Sequence, residues 1–545
     1  MTSLLTRPTI VATLILLTKV NGVAAAVHYQ ASVIELEQEP RNQHFADVNG
    51  DQRADLLVST WNAESGRELL LFLQNDDGHF NGSPNQRIDV KKDIVAYTTA
   101  DVRSEPGDEL LFFTRNAVYS YSTTKEGYGG NLVQLLSLDF INTVPDKTSV
   151  IFVEPPKDLN GDGLVDLLLP GKEHFSLFAG EKSAERADIK FSLVGNFPEP
   201  FRNPEKQRGQ NQVNFNYEDG LTIAINVPSA FDGLILQPFE EENETLTERR
   251  RGRRARSILD VDRWLTPIVP ATLNRDESSD FVFVDDVANL NNDKSGDKKN
   301  RRRLNVLYAH FNVNPQKNRQ PESEDTIKID WQAELDIKTE LRLTDLDGDG
   351  LTDIYIIDRH GTNDATLSFY VNRDGRYDFE NSQQVMRFSG IDVDLDVVDI
   401  DSDAKPELIV GYYTISAVDA LRNGNMVRTT LLYDNGTESG ELFSRRPQSK
   451  REDKFSATAF RGITQRINFN ADVDGDGIKE AVAMDNDGAL TASGISNLVI
   501  DSEPSWRFVP LHVIQQFELV DLNADKSTDF LLSHQKGLTI LVSQP

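Results

Sequence analysis

DLDGDGLTDIYIID, running from Asp345 to Asp358, couples a tight acidic turn to an apolar, β-branched run. The turn places oxygen-bearing side chains at positions one, three, five and nine (Asp345, Asp347, Asp349, Asp353), and the pattern D-x-[DN]-x-D-x-x-x-[DE] occurs six times in the chain. The other copies supply Asp47, Asn49, Asp51 and Asp55; Asp158, Asn160, Asp162 and Asp166; Asp399, Asp401, Asp403 and Glu407; Asp472, Asp474, Asp476 and Glu480; and Asp521, Asn523, Asp525 and Asp529. Four oxygen ligands in one short loop can converge on a hard cation. Calcium is the expected guest, because it takes about six to eight oxygens in flexible geometry, whereas magnesium demands a regular octahedron.

An EF-hand loop starts the same way but ends on a bidentate Glu at position twelve and lies between helices. Position twelve here is Val58, Leu169, Ile356, Val410, Ala483 and Leu532, none of which can ligate. The residues after each loop, such as DLLLPG from Asp166 and DFLLSH from Asp529, read as short strands closed by turn signals. A single acidic turn of this kind is ordinarily just a solvated turn. Six copies in fixed relation to a strand point to metal loops between strands. Position six calls for a positive φ, which Gly163, Gly350 and Gly477 supply without strain, so those loops are expected to bind best. Gln52, Ala404 and Lys526 stand there in the loops starting at Asp47, Asp399 and Asp521.

The spacing of the loops sets the architecture. Asp47 to Asp101 is 54 residues, Asp101 to Asp158 is 57, and Asp345 to Asp399 is again 54. The unit from Asp101 keeps its strand without the ligand spacing, and the unit from Thr272 keeps Asn274, Asp276 and Asp280 without a first carboxylate. Asp219 and Gly220 fall in phase with a further, eroded unit. Repeats of about fifty-five residues with several short strands each predict an all-β fold, a β-propeller of four-stranded antiparallel blades. Eight blades fit the units best, with seven and nine as alternatives. The strand VHYQASVIELE near the N-terminus has no unit of its own and is expected to complete the last blade.

The loops and the strands after them resemble the FG-GAP and VCBS repeats of bacterial extracellular proteins and integrin α-subunit propellers, over most of residues 45–545. The resemblance implies calcium at the blade loops and roles in adhesion or glycan binding.

Residues 1–26 read as a secretory signal peptide, with Arg7 ahead of an apolar stretch and Ala24, Ala25 and Ala26 as a cleavage site, leaving 27–545 as one propeller domain. No later stretch is long and apolar enough for a transmembrane helix, and the absence of cysteine excludes disulfides and thiol nucleophiles. A secreted, periplasmic or cell-surface protein, monomeric as closed propellers can be, is the expectation. The formal net charge of -30 disfavours nucleic acid as a partner. Six calcium ions would offset 12 of those charges. Two basic segments, Glu248–Arg256 and Lys298–Arg303, break the acidity and read first as solvated insertions, second as a patch for an anionic glycan. Asn243 and Asn435 begin glycosylation sequons.

No zincin, nucleophile-elbow, phosphate-loop or dinucleotide motif is present, and the eight histidines are scattered. The leading expectation is therefore a binding or adhesion module for a glycan or a cell-surface protein. A polysaccharide lyase on a calcium-loaded propeller and a structural subunit of a surface complex are the alternatives.

Overall fold

The computed structural model describes residues 28–38, 40–139, 146–153, 155–159, 162–170, 174–182, 188–198, 213–216, 222–225, 268–275, 279–285, 302–313, 326–334, 338–360, 364–415, 425–435, 440–456, 466–485 and 487–544. Among them every regular element is a strand. The signal-peptide segment, the basic segment 248–256, residues 298–301 of the second basic segment, and Asn160, Asp219, Gly220, Asn243 and Asp276 lie outside the described residues.

Each acidic loop leads into the second strand of an antiparallel sheet. In sheet 1 the loop after Asn42–Ala46 opens into Asp55–Asn62, which pairs with Gly66–Phe72 and that with Gln86–Asp89. The same order repeats in four-stranded sheets at residues 268–334 (sheet 4), 338–389 (sheet 5), 391–456 (sheet 6) and 468–508 (sheet 7). Sheet 2, residues 94–137, gains a short parallel strand, Ile151–Phe152, against Ile94–Ala100. Sheet 3 has three strands within 167–198, preceded by a bridge between Lys157 and Asp166. A two-stranded pair, Val213–Asn216 with Thr222–Ile225, falls where the eroded unit was expected.

Sheet 8 takes its first three strands from residues 514–544 and its fourth from the other end of the chain. His28–Glu35 runs antiparallel to Gly537–Gln544, from His28 opposite Gln544 to Glu35 opposite Gly537. The N-terminal strand thus completes the last blade, as the sequence suggested.

The second strands are buried on both faces because each blade is covered by two neighbours. Along Asp55–Asn62, Leu56 and Val58 pack with Leu531 and Ile540 of sheet 8, while Leu57 packs with Leu110 and Phe112 of sheet 2. Equivalent clusters join sheets 2 and 3, 5 and 6, 6 and 7, and 7 and 8. This is the packing of a β-propeller. Continuous apolar runs such as DIYIID, rather than alternating ones, follow from it.

The loops are built on one recurrent contact. The carboxylate at position nine accepts the backbone N–H of position two in all eight units: Val48 to Asp55, Val102 to Glu109, Leu159 to Asp166, Leu273 to Asp280, Leu346 to Asp353, Ile400 to Glu407, Val473 to Glu480 and Leu522 to Asp529, at 2.5–3.0 Å. All eight carboxylates are buried. In several units the second oxygen accepts a further N–H from the end of the third strand, as Asp353 does from Asn372 and Asp529 from Ser543.

Neighbouring loops are then tied backbone to backbone. The residue before position nine donates its N–H to a carbonyl at position one or two of the preceding loop, as in Asp108 to Asp47, Thr352 to Thr272, Lys479 to Ile400, Thr528 to Asp472 and Ala54 to Leu522. Pro406 holds this place in sheet 6 and has no N–H to give. Asn435 bridges instead, its amide donating to the carbonyls of Leu346 and Pro406. That engaged, part-buried amide argues against sugar attachment at the Asn435 sequon.

Two outcomes test this arrangement. Ile34 is fully buried in the closing blade, so Ile34→Ala is expected to cost about 2–5 kcal/mol in urea denaturation; a loss below about 1 kcal/mol would contradict closure by the N-terminal strand. Glu109 is pushed up to about 7 by burial, with the Asp101 charge adding and two backbone N–H donors opposing. Its folded value exceeds the ordinary 4.5, so folding takes up a proton between those values and stability falls as pH rises from about 4.5 to 7. Glu109→Gln should therefore lose less stability than the parent between pH 5 and pH 8, and equal losses would contradict the burial of this carboxylate.

Candidate metal centres

Three loops bring carboxylate oxygens together. Asp345, Asp347 and Asp353, then Asp399, Asp401 and Glu407, then Asp472, Asp474 and Glu480 each offer one oxygen, and within each group these lie within 4.8 Å of one another. Oxygens on opposite sides of a calcium ion, bound at about 2.3–2.6 Å, stand roughly 4.6–5.2 Å apart. The groups therefore have the dimensions of a single calcium shell. They are positions one, three and nine, three of the four side chains that the spacing singled out.

Position one shapes the turn. Asp345 accepts N–H groups from Gly348 (2.8 Å), Asp349 (3.2 Å) and Gly350 (2.8 Å). Asp47 does the same with Gly50, Asp51 and Gln52, and Asp472 with Gly475 and Gly477. Wrapping several N–H groups around one carboxylate requires left-handed backbone at position six, where φ is positive for Gly163, Gly350 and Gly477 and equally for Gln52, Ala404 and Lys526. The three non-glycine residues accept a conformation that disfavours a Cβ. Position four is also left-handed, at Gly50, Gly348, Ser402, Gly475 and Ala524, which the sequence reading missed. A Cβ on Gly348 would lie 2.4 Å from the carbonyl oxygen of Ala404 in the next loop, so the glycine also lets adjacent loops touch.

Position five is tied to its own loop. Asp51, Asp162, Asp349, Asp403, Asp476 and Asp525 each accept the N–H two residues on, at 2.8–3.0 Å. Asp349 also meets Arg275 at 3.1 Å, and Asp51 meets Arg53 at 2.6 Å. In the loops with asparagine at position three, Asn49 accepts the N–H of Asp51, and Asn523 accepts that of Asp525 while donating to its carboxylate. These three loops, with Asp47, Asp158 and Asp521 at position one, carry one carboxylate fewer than the three clustered ones.

The clustered charge is held at a cost. Burial first, then the neighbouring loop carboxylates, push Asp353, Glu407 and Glu480 up to about 8, against backbone N–H donors that pull them down. Asp55 rises to about 7 and Asp166 and Asp529 to about 6 for the same leading reason. A divalent cation among positions one, three and nine would favour the ionised forms. The loop at 101–109 and the unit at 272–280 retain the position-nine carboxylate, Glu109 or Asp280, for loop closure. That retained acid is the signal by which their structural role could have been read from sequence.

No curated protein matches the chain. Among solved structures, BBS1N in complex with ARL6DN, soaked with mercury, aligns over 95% of this chain and 97% of that chain, at 8% identity and a TM-score of 0.32. Residues 345–410 match the model of the FG-GAP-like repeat. The matched segment runs from the first carboxylate of one clustered loop, through the next loop, into the strand after it, so the chain carries an FG-GAP-like repeat in a β-propeller.

Proposed function

We propose that the protein is an exported, eight-bladed, calcium-binding propeller that serves as a binding or adhesion module for a glycan or a cell-surface partner. The calcium part rests on one observation, the convergence of positions one, three and nine in three loops. A buried carboxylate at position nine facing more exposed ones at positions one and three, closed into a turn by N–H groups, forms an oxygen-only donor set that suits a hard cation. Among the residues available, Asp345, Asp347 and Asp353, and their counterparts from Asp399 and Asp472, would hold the ion. Bound there, it would offset two of the four negative charges of each loop and cross-link the first strand of a blade to the second. The binding role rests on the fold: an FG-GAP-type propeller offers loop-lined faces on a rigid frame, which suits a binding or structural module. Export is supported by the N-terminal sequence, and it would place the loops where calcium is abundant.

Metal that binds only the folded chain raises stability by about 2.7 kcal/mol per site at 100 times its dissociation constant. Millimolar calcium added after chelation should therefore raise the melting temperature markedly, and equal magnesium much less. Asp347→Ala, Asp401→Ala and Asp474→Ala should each lower calcium stoichiometry by about one, while Asp101→Ala should leave it unchanged. An unchanged melting curve, or equal losses in all four variants, would sink the calcium assignment. Capture of glycans on an array tests the adhesion reading separately.

A further inference from the structure

Among the described residues, sheets 6 and 7 meet through apolar side chains over the half nearest the acidic loops, where Val398, Ile400, Ile409 and Leu432 pack with Phe469 and Ala481. Farther along, the same face of sheet 6 turns polar. Asp394, Gly411 and Thr430 stand opposite one another across three strands, and Tyr413, Arg428 and Asp453 form the next row. A cleft opens there, lined by Asp394, Asp396, Gly411, Arg428, Thr430 and Arg466, with Phe469 and Ile467 on the sheet 7 side.

Gly411 makes the room. A Cβ built on it would meet only the Cβ of Asp394, at 3.9 Å, so a glycine in mid-strand keeps space that a side chain would fill. The space within this open cleft, 40 Å³, admits about three water-sized groups.

Two arginines and two aspartates line the cleft, so its formal charges cancel. Arg466 meets Asp394 at 2.7 Å and Arg428 meets Asp453 at 3.0 Å. An added anion would face Asp394 and Asp396, and an added cation would face the two arginines. Carboxylate acceptors, guanidinium donors and the Thr430 hydroxyl alternate over a few ångströms. A ligand group that both donates and accepts through one atom meets that alternation best, and a hydroxyl is such a group. Hydrogen bonds from hydroxyls to charged partners are also the stronger kind. Phe469 and Ile467 give the cleft an apolar wall for C–H groups.

We propose that this cleft binds the vicinal hydroxyls of one uncharged sugar ring, such as the terminal residue of a neutral glycan. The proposal rests on the glycan-binding reading above and gives it a place and a ligand class. It puts specificity in a cleft between blades, apart from the acidic loops.

The test uses the full chain with calcium present. Neutral methyl hexosides and glucuronic acid are titrated by saturation-transfer NMR and calorimetry, and the glycan array is run on the parent and on Gly411→Val. At least one neutral hexoside should bind, and Gly411→Val, which fills the cleft with a strand-favouring residue, should weaken it at least about tenfold with the melting temperature unchanged. Thr430→Val, of similar shape, should weaken it roughly three- to tenfold and serves if the glycine variant fails to fold. Binding by glucuronic acid alone, or hexoside binding indifferent to both variants, would overturn the proposal. Absence of hexoside binding with array capture intact in Gly411→Val would overturn the cleft while leaving the adhesion reading standing. Absence of both would overturn the two together.

Discussion

A buried carboxylate accepting one backbone N–H seven residues earlier is the contact on which the rest of this propeller depends. It recurs from Asp55 to Asp529 in all eight units, whether or not the remaining loop residues can hold a metal. Position nine begins the second strand or stands beside it, and position two follows the first strand. One hydrogen bond therefore fixes both the turn and the register of the strands it joins. Removing such an acceptor would leave a buried N–H without a partner, a loss of about 1–3 kcal/mol in each unit. This explains why Glu109 and Asp280 persist where the other oxygens of the pattern have gone.

The same carboxylate links stability to charge. Burial raises it, and carboxylates at positions one and three raise it further, so the fold sets one buried acid against acidic neighbours. A cation bound among these carboxylates would relieve that tension. Because adjacent loops share backbone hydrogen bonds and position-four glycines contact the next loop, a change in one loop is felt by its neighbour. Pro406 shows how firmly the tie is kept: where the N–H is missing, Asn435 spans the gap from the side.

Much of this was legible in the chain. The acidic turn of DLDGDGLTD and the apolar run after it gave the loop, the second strand and the repeat, and the unpaired VHYQASVIELE gave the closing strand. The positive φ at Gln52, Ala404 and Lys526 follows from phase with Gly350, although their side chains argue against it. The hydrogen-bonding role of position nine was hidden, because candidate ligands and hydrogen-bond acceptors are the same residue types and spacing cannot separate them. Position five shares this ambiguity: Asp349 accepts the N–H of Leu351 through one oxygen, as Asp345 accepts three loop N–H groups, so backbone engagement alone does not separate the candidate ligands. The cleft beside Gly411 was illegible, since it depends on Asp394 and Thr430 arriving on either side of a glycine through strand register that no local pattern reveals.

Amide hydrogen exchange at position two, read at Val48, Val102, Leu159, Leu273, Leu346, Ile400, Val473 and Leu522 with calcium and after chelation, bears most directly on the role of the buried carboxylate. Slow exchange at all eight in chelator is expected, with further slowing on calcium at Leu346, Ile400 and Val473 and none at Val102 or Leu273. Rapid exchange at these amides without metal, or equal slowing by calcium at Val102 and Ile400, would contradict a loop organised first by its buried acid and only then by its ion.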